Sequence, residues 1–245
     1  MIDGMSERTI ALVTGANKGI GYEIAAGLGA LGWRVGVGAR DRERRDTAVE
    51  KLRAAGADAF GVPLDVTDDA SVAAAAELIA EHAGGLDVLV NNAAIAGAMP
   101  QIPTTLDPVT VRDVVETNVI GVLRVTNAML PMLRDSASPR IVNMSSSVAS
   151  LALQSTPGID MGQVPAAYLA SKTFLNALTI QYAKELSDTN ILINSGCPGY
   201  TATDLNGFQG VRTPEQGAAI AIHLATLRAD GPTGGFFDDA GTVHW

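Results

Sequence analysis

Residues 9–21 read TIALVTGANKGIG. The first five are apolar or β-branched, which predicts a buried strand over residues 9–13. Gly15, Gly19 and Gly21 then predict a tight turn that passes directly into a helix over roughly residues 19–31. A strand, a glycine-bearing turn and a helix in immediate succession are typical of the opening of a β-α-β unit.

The remainder of the chain repeats this alternation. Helices are predicted at residues 40–56, 71–85, 109–133, 166–187 and 213–227, and further strands at residues 33–39, 59–66, 86–94, 140–146, 191–199 and 234–239. Most of these strands are continuous apolar runs, as in parallel sheets covered on both faces. The pattern predicts an α/β fold: a doubly wound, Rossmann-like parallel sheet of about seven strands. We expect one domain over residues 9–245, after a disordered lead-in at residues 1–8 in which Met1 or Met5 starts the protein.

The composition and net charge of the chain argue against several classes of binding partner. The chain has 245 residues, of which 47% are hydrophobic and 4% aromatic, and its net charge is 17 − 26 = −9. An acidic protein is a poor partner for nucleic acid or for an anionic membrane. The single cysteine, Cys197, excludes an intrachain disulfide, and the three histidines lack metal-ligand spacing, so no metal is expected. The N-terminus does not resemble a signal peptide, which favours a cytoplasmic location.

Two local patterns suggest chemistry. A glycine-rich turn that opens a helix can bind a phosphate through backbone N–H groups, although a purely structural turn remains possible. Tyr168 and Lys172 lie four residues apart and therefore share one helix face. A neighbouring ammonium lowers the pKa of a phenol from its usual value of about 10. The alternative is an amphipathic helix with a solvated lysine and a half-buried tyrosine.

Taken together, the motifs resemble the short-chain dehydrogenase/reductase family over essentially the whole chain. They are, in the family's order, Thr14-Gly15-x-x-x-Gly19-x-Gly21, Asn91-Asn92-Ala93, Tyr168-x-x-x-Lys172 and Pro198-Gly199. The turn TGANKGIG and the ending GGFFDD resemble the NADPH-dependent carbonyl reductase branch. The resemblance implies an oxidoreductase that transfers hydride between a nicotinamide cofactor and a carbonyl group, without a metal.

The resemblance also implies residue roles. Tyr168 would be the general acid that protonates the carbonyl oxygen, and Lys172 would lower its pKa and bind the nicotinamide ribose. Among the serines of residues 145–147, the family pattern selects Ser146 to bind the carbonyl oxygen. Asn118 would complete a proton relay through water, unless it is only a polar helix residue.

The end of the second strand indicates which nicotinamide is used. Ala39 and Arg40 stand where NAD enzymes of this fold usually carry an acidic residue, and Lys18 lies in the glycine turn. We therefore expect NADP(H), with the cations binding its 2′-phosphate and Asp41 capping the next helix. The other cofactor-binding residues that the resemblance implies are Gly15, Asn17, Gly19, Ile20, Gly21, Asp65, Val66, Asn92, Ala93, Tyr168, Lys172, Pro198, Gly199, Thr201 and Thr203.

Two departures from the family bear on the substrate. Ala94 replaces a glycine after Asn91-Asn92-Ala93, and the stretch between Ser146 and Tyr168 is longer than in common tetrameric members. The longer stretch favours a monomer or an unusual dimer, and the oligomeric state stays open. We expect a small, mostly apolar carbonyl substrate, with the wall formed by Ile95, Ala96, Val148, Leu153, Met161, Val164, Tyr200, Leu205 and Phe208.

Two alternatives remain. The first is a 3-oxoacyl thioester reductase or secondary-metabolite ketoreductase that uses the same four catalytic residues. The second is an NADP-binding sensor that has the fold but no turnover. The presence of both Tyr168 and Lys172 argues against the sensor.

Overall fold

Strands form where the chain is continuously apolar, and helices occupy the segments between them. The protein is described by a computed structural model over residues 8–158 and 165–245. The predicted lead-in lies outside these residues except for Arg8. The strands are β1 (Ile10–Thr14), β2 (Arg34–Ala39), β3 (Asp58–Pro63), β4 (Val88–Asn91), β5 (Arg140–Met144), β6 (Leu192–Gly196), β7 (Phe236–Asp238) and β8 (Gly241–Thr242). The helices are α1 (Gly19–Ala30), α2 (Arg42–Ala54), α3 (Asp69–Ala83), α4 (Pro108–Val115), α5 (Gly121–Asp135), α6 (Leu151–Gln154), α7 (Ala166–Glu185) and α8 (Pro214–Ala225).

Local sequence signals set several helix ends. Asp41 precedes α2 and its carboxylate accepts a hydrogen bond of 3.0 Å from the backbone N–H of Arg44, which confirms the predicted cap. Thr213 and Gln216 form a reciprocal capping box at the start of α8. Gly84 ends α3 with φ = +82°, a conformation that favours glycine.

The strands form one sheet in the order β3-β2-β1-β4-β5-β6-β7-β8. Neighbours are parallel except for β7 and β8, whose antiparallel pairing adds a short edge strand to the seven that were expected. The strand β1 lies between β2 and β4, and Val13 is in register with Val37 on one side and Val90 on the other. The direction of winding reverses at β1, so the cleft beyond its carboxyl end is where ligands bind in such sheets.

The core has two layers, one on each face of the sheet. Alternate residues of β1 point to opposite faces: Ala11 and Val13 pack with the layer beneath α1, α2 and α8, and Leu12 packs with the layer beneath α3, α5 and α7. All three side chains are fully buried. Small aliphatic side chains allow helices to lie close to both faces, as the low aromatic content predicted. The doubly wound α/β fold is thus confirmed.

The long helix predicted at residues 109–133 is interrupted. A π-helical turn at Glu116–Ile120 separates α4 from α5. Such turns occur frequently at functional sites because they redirect a side chain out of the regular helical register. The strands predicted to end at residues 94 and 199 instead stop at Asn91 and Gly196, since the chain leaves the sheet to border the cleft.

Over residues 8–158 and 165–245, no helix combines the length and hydropathy that crossing a membrane would require.

Candidate active site

A cleft of about 840 Å³ opens at the carboxyl ends of β1, β2, β4 and β5. It extends from the glycine turn and the end of β2, past the ends of β4 and β5, to the first turns of α7. Its walls include most of the residues predicted to bind a cofactor: Gly15, Asn17, Lys18, Gly19, Ile20, Gly21, Arg40, Asp65, Val66, Asn92, Ala93, Tyr168, Lys172, Pro198 and Thr203. The tertiary structure therefore brings motifs from distant parts of the chain into one site.

The glycine turn is packed against the end of β4. Gly15 has φ = +65°, and a Cβ there would lie 3.0 Å from the Cα of Ala93. A Cβ on Gly21 would lie 2.4 Å from the Asn92 amide nitrogen. The Asn92 side chain therefore occupies the space that the missing Cβ of Gly21 leaves.

The Thr14 hydroxyl joins the ends of β1 and β4 and was not predicted to have a role. It accepts hydrogen bonds from the backbone N–H groups of Asn92 (2.9 Å) and Ala93 (3.0 Å). The Asn92 amide returns a hydrogen bond of 2.9 Å to the Thr14 carbonyl. These contacts fix the backbone where the cleft turns from the glycine turn toward α7.

We expect Thr14→Val to destabilise the protein by about 2–3 kcal/mol, because it leaves two backbone N–H groups without an acceptor in a buried place. Thr14→Ser retains the hydroxyl and should cost less than half as much. Urea unfolding at neutral pH measures both. Equal destabilisation by Val and Ser would show that the hydroxyl is not the important group.

Tyr168 and Lys172 lie at the inner end of the cleft, and Ser146 lies beside Tyr168 but is not part of the cleft wall. The Ser146 hydroxyl lies close enough to the Tyr168 phenol to lower its pKa. The Lys172 Nζ lies 5.6 Å from the centre of the Tyr168 ring and donates a hydrogen bond of 2.7 Å to the Met144 carbonyl. Lys172 is only 3% exposed. The arrangement places two hydroxyl groups and a buried ammonium around one small volume.

The contacts of the neighbouring serines favour the choice of Ser146. The Ser145 hydroxyl donates to the Asn176 carboxamide oxygen at 2.7 Å. The Ser147 backbone N–H donates to the Cys197 sulfur at 3.1 Å, and the Ser147 side chain also lies near that sulfur. Ser146 is therefore the serine of this run whose hydroxyl is directed to Tyr168.

The expected lowering of the Tyr168 pKa is not found. Burial raises the pKa of the Tyr168 phenol, the proximity of Cys197 adds to the rise, and the hydrogen bond with Ser146 offsets only part of it. That Lys172 and a bound nicotinamide together bring this pKa toward neutrality stays a prediction for the cofactor-loaded cleft. Burial also shifts the pKa of Lys172, but in the opposite direction. It lowers that pKa to about 8, because the charged ammonium is poorly solvated.

Asn118 is fully buried in the π-helical turn. Its carboxamide accepts a hydrogen bond from the Ile95 N–H and donates one to the Ile95 carbonyl, both at 2.9 Å. It also donates to the Ser171 hydroxyl at 3.0 Å. Through these contacts Asn118 holds the loop after β4 beside α7. It is therefore more than a polar residue on a helix surface. Its part in a proton relay stays a prediction.

The other end of the cleft is polar and carries cations. The exposed Arg40 guanidinium lies 3.8 Å from the Asp65 carboxylate. Burial raises the pKa of Asp65, but hydrogen bonds from Thr67 and the nearby arginines hold it below its usual range. Lys18 forms an ion pair with Asp204 across the cleft, a partner that local sequence did not indicate. Arg44, in the first turn of α2, also lines the cleft. The sequence motifs did not indicate this residue.

Some predicted residues lie outside the cleft wall. A Cβ on Gly199 would lie 2.7 Å from the Arg212 side chain, and the Thr201 hydroxyl donates to the carbonyls of Pro198 and Gly199. These two residues thus support the backbone after β6, and their part in cofactor binding stays a prediction. The reason is that the chain folds back at a bridge between Thr201 and Arg212.

The predicted substrate wall is partly correct. Ile95, Ala96, Leu205 and Phe208 line the cleft, next to the inner end. Leu153 instead packs against the small cluster formed by Cys197, Phe236 and Val243, and Val148 and the half-exposed Tyr200 do not line it. Met161 and Val164 lie outside the described residues. Cys197 is buried in that cluster, consistent with a packing role.

Gln101 is the other important residue that the motifs did not reveal. It is 4% exposed and hydrogen-bonds the backbone at the start of α7 and in the loop after β4. A lone glutamine in a Pro-containing loop has no sequence signature. Over the described residues, no group of histidine, cysteine or carboxylate side chains is arranged to hold a metal ion.

Comparison with known proteins agrees with this geometry. The family model described as short chain dehydrogenase matches residues 9–211. Carbonyl reductase (NADPH) 1 of Mus musculus is 32% identical, over 98% of this chain and 99% of its own. The solved NADPH-bound carbonyl reductase from chicken fatty liver superposes with a TM-score of 0.85 at 31% identity, covering 97% of this chain and all of that one. An actinorhodin polyketide ketoreductase with NADPH gives a TM-score of 0.82 at 31% identity and 96% coverage of both chains. The chain therefore belongs to the short-chain dehydrogenase/reductase family, and among its relatives are the carbonyl reductases.

Proposed function

We propose that this protein is an NADPH-dependent carbonyl reductase that converts a ketone or an aldehyde to an alcohol. The observation that carries the proposal is the placement of Tyr168 and Lys172, with Ser146 beside Tyr168, at the inner end of a cleft that begins at a glycine turn. NADPH would supply the hydride. The chain itself must bind the carbonyl oxygen, protonate it and exclude water.

Each of the three side chains has a defined task in this proposal. Tyr168 donates a proton to the carbonyl oxygen, and its raised pKa keeps the phenol protonated at neutral pH. The Ser146 hydroxyl donates a hydrogen bond to the same oxygen and stabilises the negative charge that develops there. The buried Lys172 ammonium favours proton loss from Tyr168 electrostatically during the reaction.

The residues of the cleft fit an NADP nucleotide. The turn before α1 presents backbone N–H groups near a helix N-terminus, which suits a pyrophosphate. Ala39 leaves the end of β2 without a carboxylate, and Asp41 is occupied as the cap of α2. Arg40 and Arg44 line the cleft and form only long ion pairs, with Asp65 at 3.8 Å and with Asp41 at 3.5 Å, so either guanidinium can turn to a 2′-phosphate. Lys18 is paired with Asp204. We propose Arg40 and Arg44 as the principal NADP-selecting residues, with Lys18 contributing when its ion pair opens.

Replacing these arginines should change coenzyme preference. We expect Arg40→Ala and Arg44→Ala each to raise the KM for NADPH by about tenfold, the effect of one charge-assisted hydrogen bond. The KM for NADH should stay within about twofold. Steady-state rates with both coenzymes measure this, and Arg42→Ala is the matched control, because Arg42 is exposed on α2 and pairs with Asp46. A parallel loss with NADH would contradict the assignment to the 2′-phosphate.

The substrate end of the cleft favours an apolar carbonyl compound. Ile95, Leu205 and Phe208 contribute aliphatic and aromatic surface to the wall of the cleft that also holds Tyr168. The alternative substrate class, an acyl thioester or a secondary-metabolite ketone, has support from the polyketide ketoreductase among the similar structures. Both reactions require the same proton donor and the same cleft.

The proposal is tested by following the oxidation of NADPH at 340 nm. The compounds offered as substrates are aryl ketones, aldehydes, quinones, cyclic ketones and 3-oxoacyl thioesters. We expect turnover with at least one apolar carbonyl compound, and a preference for the thioesters would favour the alternative. A parallel titration of NADPH fluorescence separates an enzyme from a sensor. Tight NADPH binding with no turnover on any of these classes would contradict the proposal and support the sensor.

A further inference from the structure

The helix that carries Tyr168 begins without a capping side chain of its own. The residue before α7 is Pro165, which has no side-chain oxygen to accept a hydrogen bond. The first N–H groups of any helix have no partner within the helix, and burial without an acceptor is costly. Ala167, in this first turn, is 1% exposed. An acceptor must therefore come from elsewhere in the fold.

Gln101 provides that acceptor from a distant part of the chain. Its side-chain oxygen accepts hydrogen bonds from the backbone N–H groups of Ala167 at 2.9 Å and Tyr168 at 3.4 Å. Its backbone carbonyl also accepts from the Ala166 N–H at 3.4 Å. Three successive N–H groups at the start of α7 are thus bound to one residue 65 to 67 positions earlier in the sequence.

The other half of the same carboxamide binds the cleft wall. The Gln101 amide nitrogen donates to the carbonyls of Ala96 at 2.6 Å and Ala98 at 3.1 Å. Ala96 lines the cleft beside Tyr168. Gln101 therefore connects the backbone of Tyr168 directly to the loop that borders the substrate end of the cleft.

We propose that Gln101 is a positioning residue for Tyr168. It acts through the backbone N–H of that residue, since none of its contacts is with the phenol, Ser146 or Lys172. By binding the start of α7 and the loop at residues 96–98 together, it sets the distance between the proton donor and the wall against which a carbonyl compound rests. This inference rests on the proposed function of Tyr168 as general acid.

Two variants of Gln101 separate its two sets of hydrogen bonds. Gln101→Met keeps the length of the side chain and removes all of its side-chain hydrogen bonds, while the backbone carbonyl still accepts from the Ala166 N–H. Gln101→Glu keeps an acceptor for the helix N–H groups, where a negative charge is favoured, and removes the donors to Ala96 and Ala98. Asn194→Leu is the matched control. Asn194 lies on β6, and its buried carboxamide also bridges two backbone groups, the Pro232 carbonyl and the Gly235 N–H. None of its hydrogen bonds is with α7 or with the loop at residues 96–98.

We expect Gln101→Met to lower kcat by about 10- to 100-fold, since small displacements of a catalytic group have effects of that order. The Kd for NADPH should change by less than about threefold. Gln101→Glu should retain kcat within about threefold at its own optimal pH. Its added negative charge should raise the pKa of Tyr168, so the alkaline limb of the kcat profile for reduction should move to higher pH. Asn194→Leu should lower the thermal midpoint without changing kcat by more than about twofold.

The outcomes separate this inference from the proposed function. Unchanged kcat in Gln101→Met, or equal losses in Gln101→Met and Asn194→Leu, would overturn the positioning role. A loss in Gln101→Glu as large as in Gln101→Met would show that the bonds to the helix do not position Tyr168, and would also overturn it. Tyr168→Phe is measured beside them: if it retains turnover, the general-acid assignment itself fails.

Discussion

Tyr168→Phe should lower the carbonyl-reducing kcat by about a thousandfold, within the range that general-acid catalysis contributes. The substitution removes only the hydroxyl group, so the ring can keep its place beside Lys172 and Ser146. NADPH binding should therefore change little. Stopped-flow or steady-state NADPH oxidation measures the rate, and fluorescence titration measures the binding.

Tyr182→Phe is the control for this variant. Tyr182 lies on the same helix, is 6% exposed and donates a hydrogen bond of 2.6 Å to Asn127. Its loss should lower stability slightly and leave kcat within about twofold. Equal rates for the two variants, or turnover that survives Tyr168→Phe, would show that a different group protonates the carbonyl oxygen.

Lys172→Met should stabilise the ligand-free protein while greatly reducing its activity. Burial lowers the pKa of Lys172 from 10.5 to about 8. The unfolded chain therefore holds this proton more tightly than the folded protein, and below pH 8 the buried ammonium lowers stability by about 3 kcal/mol. The hydrogen bond from Nζ to the Met144 carbonyl is lost in the variant and offsets about 1 kcal/mol. We expect a net gain of about 2 kcal/mol at pH 7.

The pH dependence of this gain has a definite sign. Because the unfolded state binds more protons between pH 8 and 10.5, the stability contributed by Lys172 rises with pH in that window. The advantage of Lys172→Met should therefore shrink over the same window. Urea unfolding at pH 7, 8, 9 and 10 measures it, and Lys184→Met, an exposed lysine on α7, should change stability by less than about 0.5 kcal/mol.

The catalytic loss in Lys172→Met should be about a hundredfold in kcat with the preferred carbonyl compound. Loss of a buried cation removes its electrostatic effect on the proton transfer from Tyr168. A variant that is both less stable at pH 7 and fully active would contradict the assignment. Greater stability with low activity would show that the protein carries a destabilising charge because the reaction needs it, a common property of active sites.

Local signals were sufficient for much of the architecture. The run TIALVTGANKGIG predicted a strand, a turn and a helix because hydropathy period and glycine conformation depend on neighbouring residues only. The spacing of Tyr168 and Lys172 placed them on one helix face for the same reason. Asp41 was recognised as a cap because its partner, the Arg44 N–H, is three residues away. In each case the interacting groups lie within about one turn of chain.

Other features of the site depend on residues that lie far apart in the sequence, and only the tertiary structure decided them. The pKa of Tyr168 in the ligand-free protein is raised by burial, which no short stretch of sequence determines, and Ser146 offsets only part of the rise. Ser146 is distinguished from its neighbours by the positions of Asn176 and Cys197. Lys18 meets Asp204, and Gln101 caps a helix that begins 65 residues later, because the fold brings their segments together. Electrostatic interactions and long-range hydrogen bonds depend on distance in space. Local sequence therefore determined the strands, the helices and the candidate catalytic residues, and the folded structure determined the environment of those residues.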